Sequence, residues 1–325
     1  MAQGLRTSES FPRLKIGISS CLLGEEVRYN GGHKRDGFVC GDLSRYVDYV
    51  PICPEVAIGM GIPRPPIRLV GDPESPRAVG TDDPDMDVTD RLSAYAEETV
   101  PDFGGLNGYI LKKDSPSCGM ERVKVYNPKG GAGERKGTGI YARVLKDRLP
   151  DLPVEEEGRL KDPVLRENFI NRAYTNRRWQ QLLEKGVTPA GLIEFHTDHK
   201  YLVMAHSQAA YQRLGRMLAN LSGIDPKSVA SRYIGELMTA LGRRVNRMRH
   251  VNVLQHMMGY LKRSIDSGDK KEIIGSIEAY RRGEIPLVVP ITLMRHYFRR
   301  HPDPWMERQV YLFPHPDDLG LRNQI

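Results

Sequence analysis

The 325-residue sequence has no apolar run approaching the roughly 18 residues that a membrane-spanning helix needs. The opening segment, MAQGLRTSESFPRLK, lacks the apolar stretch of a secretory signal peptide. We therefore expect a cytoplasmic protein without a membrane partner. Hydrophobic residues make up 39% and charged residues 27%, as in soluble globular proteins. The length predicts two domains, because one domain usually contains about 100 to 200 residues.

Cysteine is scarce, and no two cysteines form a CxxC pair. The sequence has four, Cys21, Cys40, Cys53 and Cys118, all within its first 118 residues. A reducing cytoplasm disfavours disulfides, so this half is expected to use its cysteines for metal or thiol chemistry.

The net positive charge of the chain comes from its second half. Residues 1–155 contain 21 Lys and Arg against 23 Asp and Glu, a net charge of −2. The remaining residues therefore contain 48 − 21 = 27 basic and 41 − 23 = 18 acidic side chains, a net charge of +9. Of these 27 basic residues 20 are arginines, whose planar guanidinium binds phosphate oxygens with two donors. A polyanion, first of all RNA, is the predicted partner.

The first half alternates strand and helix patterns. Apolar strands are predicted at 14–20, 46–52 and 106–113, and helices at 90–99 and 140–149. This order predicts an α/β fold with a mostly parallel sheet. Cys21, Cys53 and Cys118 each follow a predicted strand, and the carboxyl ends of parallel strands share one edge where ligands bind. These three cysteines are therefore expected to meet, whereas Cys40 does not share their placement.

Two segments between these elements are rich in glycine, proline or charge. The stretch NPKGGAGERKGTG at 127–139 lacks the lysine and hydroxyl spacing of a P-loop and predicts a mobile surface loop, with RNA contact as the alternative. The stretch DLPVEEEGRLKDP at 151–163 predicts a linker. It divides the chain into a catalytic domain, 1–155, and a helical domain, 156–325.

The second half has helical periodicity and predicts an all-α domain. The range 230–266 is predicted as one helix that buries Ile234, Leu237, Leu241, Val245 and Met248 and exposes a basic face with Arg243 and Arg247. Arginines interleaved with aromatics recur at 171–179, 278–284 and 294–305, the last containing Arg295 and Arg299. A single cluster of this kind could also be an ordinary solvent-exposed helix face. The recurrence of such clusters in several segments favours RNA binding.

Two histidines of the helical half have a spacing that would suit a metal site, but the sequence offers no third ligand for one. His199 and His206 are seven residues apart and would share a helix face. The adjacent Asp198 would point about 100° away from His199, and this half has no cysteine. Packing or RNA contact is therefore the prediction for both histidines.

The three strand-end cysteines lie in turn-forming surroundings, SSCLLG, PICPE and SPSCG. Three converging thiolates can hold a zinc ion or an iron–sulfur cluster. The residue types and their spacing leave both open.

Longer segments around these cysteines carry a family resemblance. SSCLLGEEVRYNGGHKRD, CPEVAIGMGIPRPP and KKDSPSCG resemble the 2-thiouracil desulfurase (TudS) family over about residues 14–149. RENFINRAY, LIEFHTDHKYLVMAHS and YQRLGRM resemble the YbgA-type helical domain. Together they resemble the RudS-type tRNA 4-thiouridine desulfidases.

The resemblance implies a 4Fe-4S cluster held by Cys21, Cys53 and Cys118, with the fourth iron open. An open iron is a Lewis acid suited to a soft thiocarbonyl sulfur. The implied reaction is a non-redox hydrolysis of 4-thiouridine in tRNA to uridine and sulfide. Cys40 has no counterpart in the family motifs and is interpreted as an ordinary buried thiol.

Three residues are candidates for proton transfer. Glu55 resembles the catalytic glutamate of the family, and its position two residues after Cys53 keeps it near the cluster. Ser115 and Ser117 flank Pro116, and one of them is expected to bind the substrate or relay a proton. Turn capping is the alternative for each serine, and a surface salt bridge is the alternative for Glu55.

Substrate contacts are expected from the RYNG loop and from GIPRPP. Arg28 and Arg64 are predicted to bind the base or a phosphate, and Tyr29 either contacts the base or packs. Asn30 is the fourth expected substrate contact, and it stands where the family often has aspartate, so it contributes no charge.

Two further functions remain open at this point. The first is the same chemistry on free 2-thiouracil or related thiobases, which the charge of the helical half disfavours. The second is a non-catalytic RNA-binding protein with structural zinc, which the placement of Glu55 beside Cys53 disfavours.

Overall fold

The structure is a computed structural model, and it describes residues 11–325. Residues 1–10, which make up most of the segment read for a signal peptide, lie outside the described residues. The described chain forms two compact units, Pro12–Lys161 and Asp162–Ile325, and Phe11 belongs to the second. Among residues 11–325, no helix has both the length and the hydropathy needed to span a membrane.

The first unit is built on a parallel sheet with the strand order β2-β1-β5-β8. These strands are β1 (Leu14–Ser19), β2 (Val47–Ile52), β5 (Gly108–Leu111) and β8 (Val154–Glu156). All three pairings are parallel, with Ser19 opposite Ile52 and Tyr109 opposite Val154. The strands predicted at 14–20, 46–52 and 106–113 are confirmed as β1, β2 and β5; β1 and β5 lie at the centre of this sheet and β2 lies at its edge.

A second four-stranded sheet, which the sequence did not predict, has the order β4-β3-β6-β7. Its strands are β3 (Ile67–Val70), β4 (Arg77–Gly80), β6 (Val123–Tyr126) and β7 (Glu134–Gly137). Only the β3 and β6 pair is parallel. Each strand has only four residues. β3, β4 and β6 mix one charged side chain with apolar ones, and β7 has no apolar side chain, so periodicity gave little signal.

Four short helices complete this unit, α1 (Gly37–Cys40), α2 (Pro54–Ala57), α3 (Thr89–Thr99) and α4 (Ile140–Arg148). The helices predicted at 90–99 and 140–149 are confirmed as α3 and α4. Leu92 of α3 and Ile140 of α4 are fully buried with Leu69 and Val125 of the second sheet.

Two predictions about connecting segments are wrong. The predicted linker at 151–163 contains β8, which is buried and pairs with β5. The two units divide after Lys161, where Asp162 caps the next helix through the backbone N–H groups of Val164 and Leu165. The predicted loop at 127–139 contains β7, which forms a hairpin with β6.

The second unit is all helical. Its helices are α5 (Pro163–Lys185), α6 (Pro189–His206), α7 (Gln208–Leu218), α8 (Pro226–Leu241), α9 (Arg247–Leu261), α10 (Ser267–Arg282), α11 (Val288–Arg300) and α12 (Pro304–Glu307). Several begin with an Asp or Thr cap followed by proline at the first helical position, which favours helix initiation. Tyr233, Leu237, Leu254 and Met257 are fully buried at the centre of this core.

The prediction of one continuous helix over 230–266 is wrong. The chain leaves α8 at Gly242, and α9 begins after Asn246, whose side chain accepts a 3.0 Å hydrogen bond from the Arg249 backbone N–H. A capping side chain this close to the break outweighs the continuous apolar periodicity. Met248, expected in the core, is therefore 57% exposed.

Candidate active site

The three strand-end cysteines line one pocket at the carboxyl edge of the parallel sheet. Cys21 lies in a single 3-10 turn directly after β1, and Cys53 lies directly after β2, at the residue before the first turn of α2. Cys118 lies in the turn between β5 and β6. The pocket has a volume of about 380 Å³, within the range of sites for small molecules.

Burial raises the pKa of all three thiols. The pKa of Cys21 rises to about 11, with the nearby Lys112 cation opposing the shift. The pKa of Cys118 rises to about 12, with a hydrogen bond from Ser19 opposing it. Burial also raises the pKa of Cys53. Without a metal these thiols hold their protons, and a bound metal must displace them.

The donor set fits an iron–sulfur cluster better than a single ion. Within residues 11–325, no three cysteine, histidine or carboxylate side chains lie close enough to hold one metal ion. A tetrahedral zinc ion needs its sulfur ligands about 2.3 Å from one point. A cluster presents separate irons to separate thiolates, so cysteines on three different elements suit it.

Cys40 does not belong to this set. It ends α1 and is half-buried, and its Sγ lies 3.5 Å from the carbonyl oxygen of Leu22. It does not line the pocket.

Glu55 is held in the pocket from both sides of its carboxylate. Ser117 Oγ donates a 2.6 Å hydrogen bond to Oε1. Arg64 Nε and Nη2 lie 2.9 and 2.7 Å from Oε2. The side chains of Arg64 and Glu55 are only 3% and 13% exposed, so this ion pair is shielded from solvent and is not the surface salt bridge considered as the alternative.

Arg64 therefore differs from its predicted role in binding a phosphate or the base. Besides Glu55, its Nη1 donates to the carbonyl oxygens of Val27 and Gly61 at 2.9 and 3.1 Å. Most of its donors are committed to the protein, which makes it a positioning residue for Glu55.

The two serines have different environments. Ser115 Oγ accepts hydrogen bonds from the backbone N–H groups of Cys118 and Ser117 at 3.0 and 3.3 Å, which is turn capping. Ser117 is buried, and its Oγ also lies 3.7 Å from Cys118 Sγ and 3.0 Å from Ser115 Oγ. Ser117 therefore connects Glu55 with the third cysteine.

The start of α4 fixes the turn that carries these serines. The backbone N–H groups of Ile140 and Ala142 donate to the carbonyl oxygens of Pro116 and Ser117 at 3.0 and 3.1 Å. A Cβ at Gly139 would lie 2.5 Å from the Ser117 carbonyl oxygen, so only glycine permits this approach.

The loop after Cys21 contributes two of its three predicted residues. Arg28 and Tyr29 line the pocket, with the Arg28 guanidinium 5.3 Å from the centroid of the Tyr29 ring. Asn30 does not line it, and its Oδ1 accepts a hydrogen bond from the Gly32 backbone N–H at 3.2 Å. Substrate contact by Asn30 stays a prediction, and this hydrogen bond of its side chain stabilises its own turn.

Sequence reasoning missed Lys112, which also lines the pocket. Its Nζ pairs with Glu157, a residue of the segment wrongly predicted as a linker, and donates to the Lys113 carbonyl oxygen at 2.8 Å. Lys112 lies in the KKDSPSCG motif beside the third cysteine, which was the available signal.

The predicted RNA contacts of the helical unit divide into two groups. Arg243, Arg247 and Arg299 are exposed. Arg295 is not a free surface cation, because its side chain is 10% exposed and pairs with Asp317 at 2.6 Å. Its Nε also donates to the Leu312 carbonyl oxygen at 2.9 Å, so the prediction of RNA contact by Arg295 is wrong.

His199 and His206 are buried in the helical core. Their Nδ1 atoms lie 2.7 Å from the carbonyl oxygens of Phe195 and Arg243. Burial lowers the pKa of His199 to about 3 and that of His206 to about 4. Packing and RNA contact were the two roles predicted for these histidines. Because both side chains are buried, their role is packing.

Comparison with known proteins supports the reading of the pocket. Residues 16–157 match the model of the 2-thiouracil desulfurase family. The chain belongs to this family. Removal of sulfur from a thiolated base is the chemistry for which the family is named, and the chain is a desulfidase. Residues 200–316 match a second family, described as a protein of unknown function, DUF1722.

Each of the similar proteins matches less than half of this chain. The uncharacterized protein YbgA of Escherichia coli (strain K12) is 32% identical over 160 residues, 48% of this chain and 94% of the relative. The uncharacterized protein YbbK of Bacillus subtilis (strain 168) is 33% identical over 138 residues, 40% of this chain and 87% of the relative. A solved structure, the 4Fe-4S-dependent thiouracil desulfidase TudS, is 29% identical and covers 46% of this chain and 95% of its own, with a TM-score of 0.37.

Proposed function

We propose that this desulfidase hydrolyses 4-thiouridine in tRNA, giving uridine and sulfide. The observation that supports it most is the meeting of three thiols with the hydrogen-bonded pair Ser117 and Glu55 in one pocket. Soft donors beside a carboxylate provide both a site for a thiophilic metal and a base for water.

We assign Cys21, Cys53 and Cys118 as the ligands of a 4Fe-4S cluster. When bound, a cluster with three protein ligands supplies one open iron, a soft Lewis acid that attracts a thiocarbonyl sulfur and polarises its C–S bond. The protein's own contribution is a pocket in which Cys21 and Cys118 are buried and Cys53 is half-buried.

Glu55 is the base for the attacking water. The water oxygen forms a bond to the ring carbon, the C–S bond breaks, and the two protons of water leave with the sulfur as hydrogen sulfide, so no electrons are gained or lost. Ser117 donates to Glu55 and can pass a proton between the carboxylate and the sulfur side of the pocket. Arg64 holds the carboxylate in this orientation.

Arg28, Tyr29 and Lys112 are the candidates for contact with the substrate. All three line the pocket, and Lys112 and Arg28 both lower the pKa of Cys21 against the effect of burial. The positive charges of Arg28 and Lys112 stabilise the Cys21 thiolate and would also attract the phosphate of a nucleotide bound in the pocket.

The preference for tRNA rests on charge. Residues 156–325 have a net charge of +9 from 27 basic and 18 acidic side chains, and Arg243, Arg247 and Arg299 are exposed. Neutralising phosphates with such cations supplies most of the sequence-independent affinity for nucleic acid. A tRNA substrate would place the enzyme in the cytoplasm.

Free 2-thiouracil or a related thiobase is the second candidate substrate. The family name favours it, and a pocket of about 380 Å³ is large enough for a single base.

The test uses the full chain, purified without oxygen and analysed for iron and sulfide. Sulfide release is measured from tRNA containing 4-thiouridine, from free 4-thiouridine and from 2-thiouracil. We expect about four irons per chain and a higher kcat/KM for tRNA than for either small substrate. A colourless protein that binds zinc and releases no sulfide would contradict the proposed chemistry, and equal kcat/KM values would contradict the tRNA preference.

A further inference from the structure

The outer face of the second sheet carries a tyrosine flanked by two cations. Lys124 Nζ lies 4.7 Å, and the Arg68 guanidinium 5.3 Å, from the centroid of the Tyr126 ring. The neighbouring residues Leu69 and Val125 are buried in the core, so the alternation along β3 and β6 turns these three side chains outward. We call Arg68, Lys124, Tyr126 and Arg135 the basic face.

Two of the three cations of the basic face have no carboxylate that would neutralise them within the described residues. Among residues 11–325, Arg68 and Lys124 take part in no ion pair, and only Arg135 is paired, with Asp114 at 2.7 Å. The buried Nε of Arg68 meets no hydrogen-bond acceptor within the described residues. Two neighbouring cations without an acidic partner favour an anionic ligand.

The basic face adjoins the active-site pocket. It lines a groove of about 340 Å³, and Ile67, Asp114 and Pro116 line both the groove and the pocket. The connectivity explains this continuity, because β3 begins three residues after Arg64 and β6 begins five residues after Cys118. The two strands thus leave the active site side by side and pair in parallel, with Val70 opposite Tyr126.

We propose that the basic face binds the RNA backbone next to the thiolated nucleotide while its base enters the pocket. The proposal rests on the proposed action on a nucleotide within RNA. Arg68 and Lys124 contact phosphates of the neighbouring nucleotides, and the Tyr126 ring holds both cations in place. A base can reach an enclosed pocket only when it is turned out of its stack, and contacts to the flanking backbone help to offset that cost.

A free phosphate is a weaker candidate for this face. The groove shares lining residues with the pocket, which suits a chain that passes through both. The contacting phosphates therefore belong to neighbouring nucleotides and not to the reacting nucleotide itself.

The experiment compares Arg68→Gln/Lys124→Gln with Arg45→Gln/Arg148→Gln. The control variant removes the same amount of charge from two exposed arginines. Arg45 lies just before the amino end of β2, whereas the pocket lies at the carboxyl ends of the strands. Two measurements are made on the full chain: binding of a short single-stranded RNA without sulfur, and kcat/KM on the same RNA with one 4-thiouridine. Free 4-thiouridine and its 5′-monophosphate serve as small substrates.

We expect the basic-face variant to bind the RNA about ten-fold or more weakly than the control variant. The slope of log K against log salt should become shallower by about 1.4, because each single-strand phosphate contact contributes about 0.7. Turnover of the nucleoside and of the monophosphate should stay within about two-fold of wild type. Tyr126→Phe should retain binding, since its ring still holds the cations, and Tyr126→Leu should weaken it.

Equal RNA binding by the two double variants would overturn the proposal, as would an equal loss on the monophosphate and the RNA. A loss of nucleoside turnover together with RNA binding would also overturn it, since the face would then support the fold of the pocket. A different result would identify failure of the proposed function: wild type would release no sulfide from the thiolated RNA although the binding difference persisted.

Discussion

Ser117 Oγ donates a 2.6 Å hydrogen bond to Glu55 Oε1 across 62 residues of sequence. The bond joins α2, which follows β2, to the turn after β5, so it fixes the position of the carboxylate relative to Cys118. The same oxygen lies 3.7 Å from Cys118 Sγ. A proton held at Ser117 is therefore within reach of both the base and the sulfur side of the pocket.

Replacing Glu55 by glutamine should separate catalysis from cofactor binding. Glutamine keeps the size of the side chain but removes the basic oxygen, so turnover should fall by roughly 10² or more, the scale of general base catalysis. Iron content should be unchanged, because Glu55 is not assigned as a ligand. Glu97→Gln, at an exposed glutamate paired with Arg148, is the matched control and should behave as wild type. Full turnover in a loaded Glu55→Gln protein would leave Glu55 a purely structural role.

The two serines should respond differently to alanine substitution. Ser117→Ala removes the donor to Glu55 and should lower kcat with little change in unfolding midpoint. Ser115→Ala leaves the backbone N–H groups of Ser117 and Cys118 without their acceptor and should destabilise the turn by about 1 to 3 kcal/mol. Urea unfolding and single-turnover sulfide release distinguish the two effects. The reverse pattern would assign the relay to Ser115.

Loss of any one pocket cysteine should abolish cofactor binding. Cys21→Ala, Cys53→Ala and Cys118→Ala should each lack the absorbance and iron of a 4Fe-4S cluster. Cys40→Ala is the internal control, because its thiol lies near the Leu22 carbonyl oxygen and outside the pocket. Retention of full iron in one of the first three variants, or its loss in the fourth, would show that the ligand assignment is wrong.

The sequence predicted the pocket better than it predicted the surroundings of the pocket. Long apolar runs located β1, β2 and β5, and the rule that parallel strands share a carboxyl edge then brought Cys21, Cys53 and Cys118 together. The role of Arg64 could not be predicted in this way, because its contact with Glu55 depends on how the GIPRPP segment folds back. The second sheet was missed because its strands are short.

Charge patterns were least informative about individual arginines. Arg295 and Arg299 lie one helical turn apart in α11, yet the first is buried against Asp317 and the second is exposed. Which of two such residues is buried depends on the chain segment that packs over the helix, here the C-terminal stretch with Leu312 and Asp317. Periodicity within α11 contains no information about that segment.

The helical unit should lose stability as the pH falls below about 6.5. Burial lowers the pKa of His250 to about 3 and those of His206 and His315 to about 4. Above pH 6.5 each histidine is neutral in both states and contributes no pH dependence. Below pH 6.5 the unfolded chain binds protons at these histidines and the folded chain does not. Each histidine therefore lowers the free energy of unfolding by about 1.4 kcal/mol per pH unit, until the pH reaches the pKa of that histidine in the folded state.

The fluorescence of Trp179 can follow this transition in the full chain, because Trp179 and Trp305 are the two tryptophans of the protein and both belong to the helical unit. We expect the urea midpoint to fall between pH 6.5 and pH 5. The dependence should be shallower in His206→Asn, in which one titrating group is removed. A midpoint that does not change over this range would contradict the assignment of these histidines as buried and neutral.

Substitution of Arg243 and Arg247 should weaken tRNA binding without affecting the chemistry. Both are exposed at the break between α8 and α9, and neither forms an ion pair within residues 11–325. The matched control is Arg281→Gln/Arg282→Gln, since these exposed arginines are already paired with Glu278 and Glu284. Arg243→Gln/Arg247→Gln should reduce the salt dependence of tRNA binding by up to about two phosphate contacts.

Turnover of free 4-thiouridine should be the same in both double variants, because neither touches the pocket. Arg247 also lies 5.1 Å from the centroid of the Tyr280 ring, so urea unfolding must confirm that the fold is intact before the binding data are interpreted. If the unpaired and the paired arginines affect tRNA binding equally, this surface does not contact phosphates. The positive charge of the helical unit would then serve another partner, and the RNA contacts would have to come from the first unit, where Arg68 and Lys124 adjoin the active site.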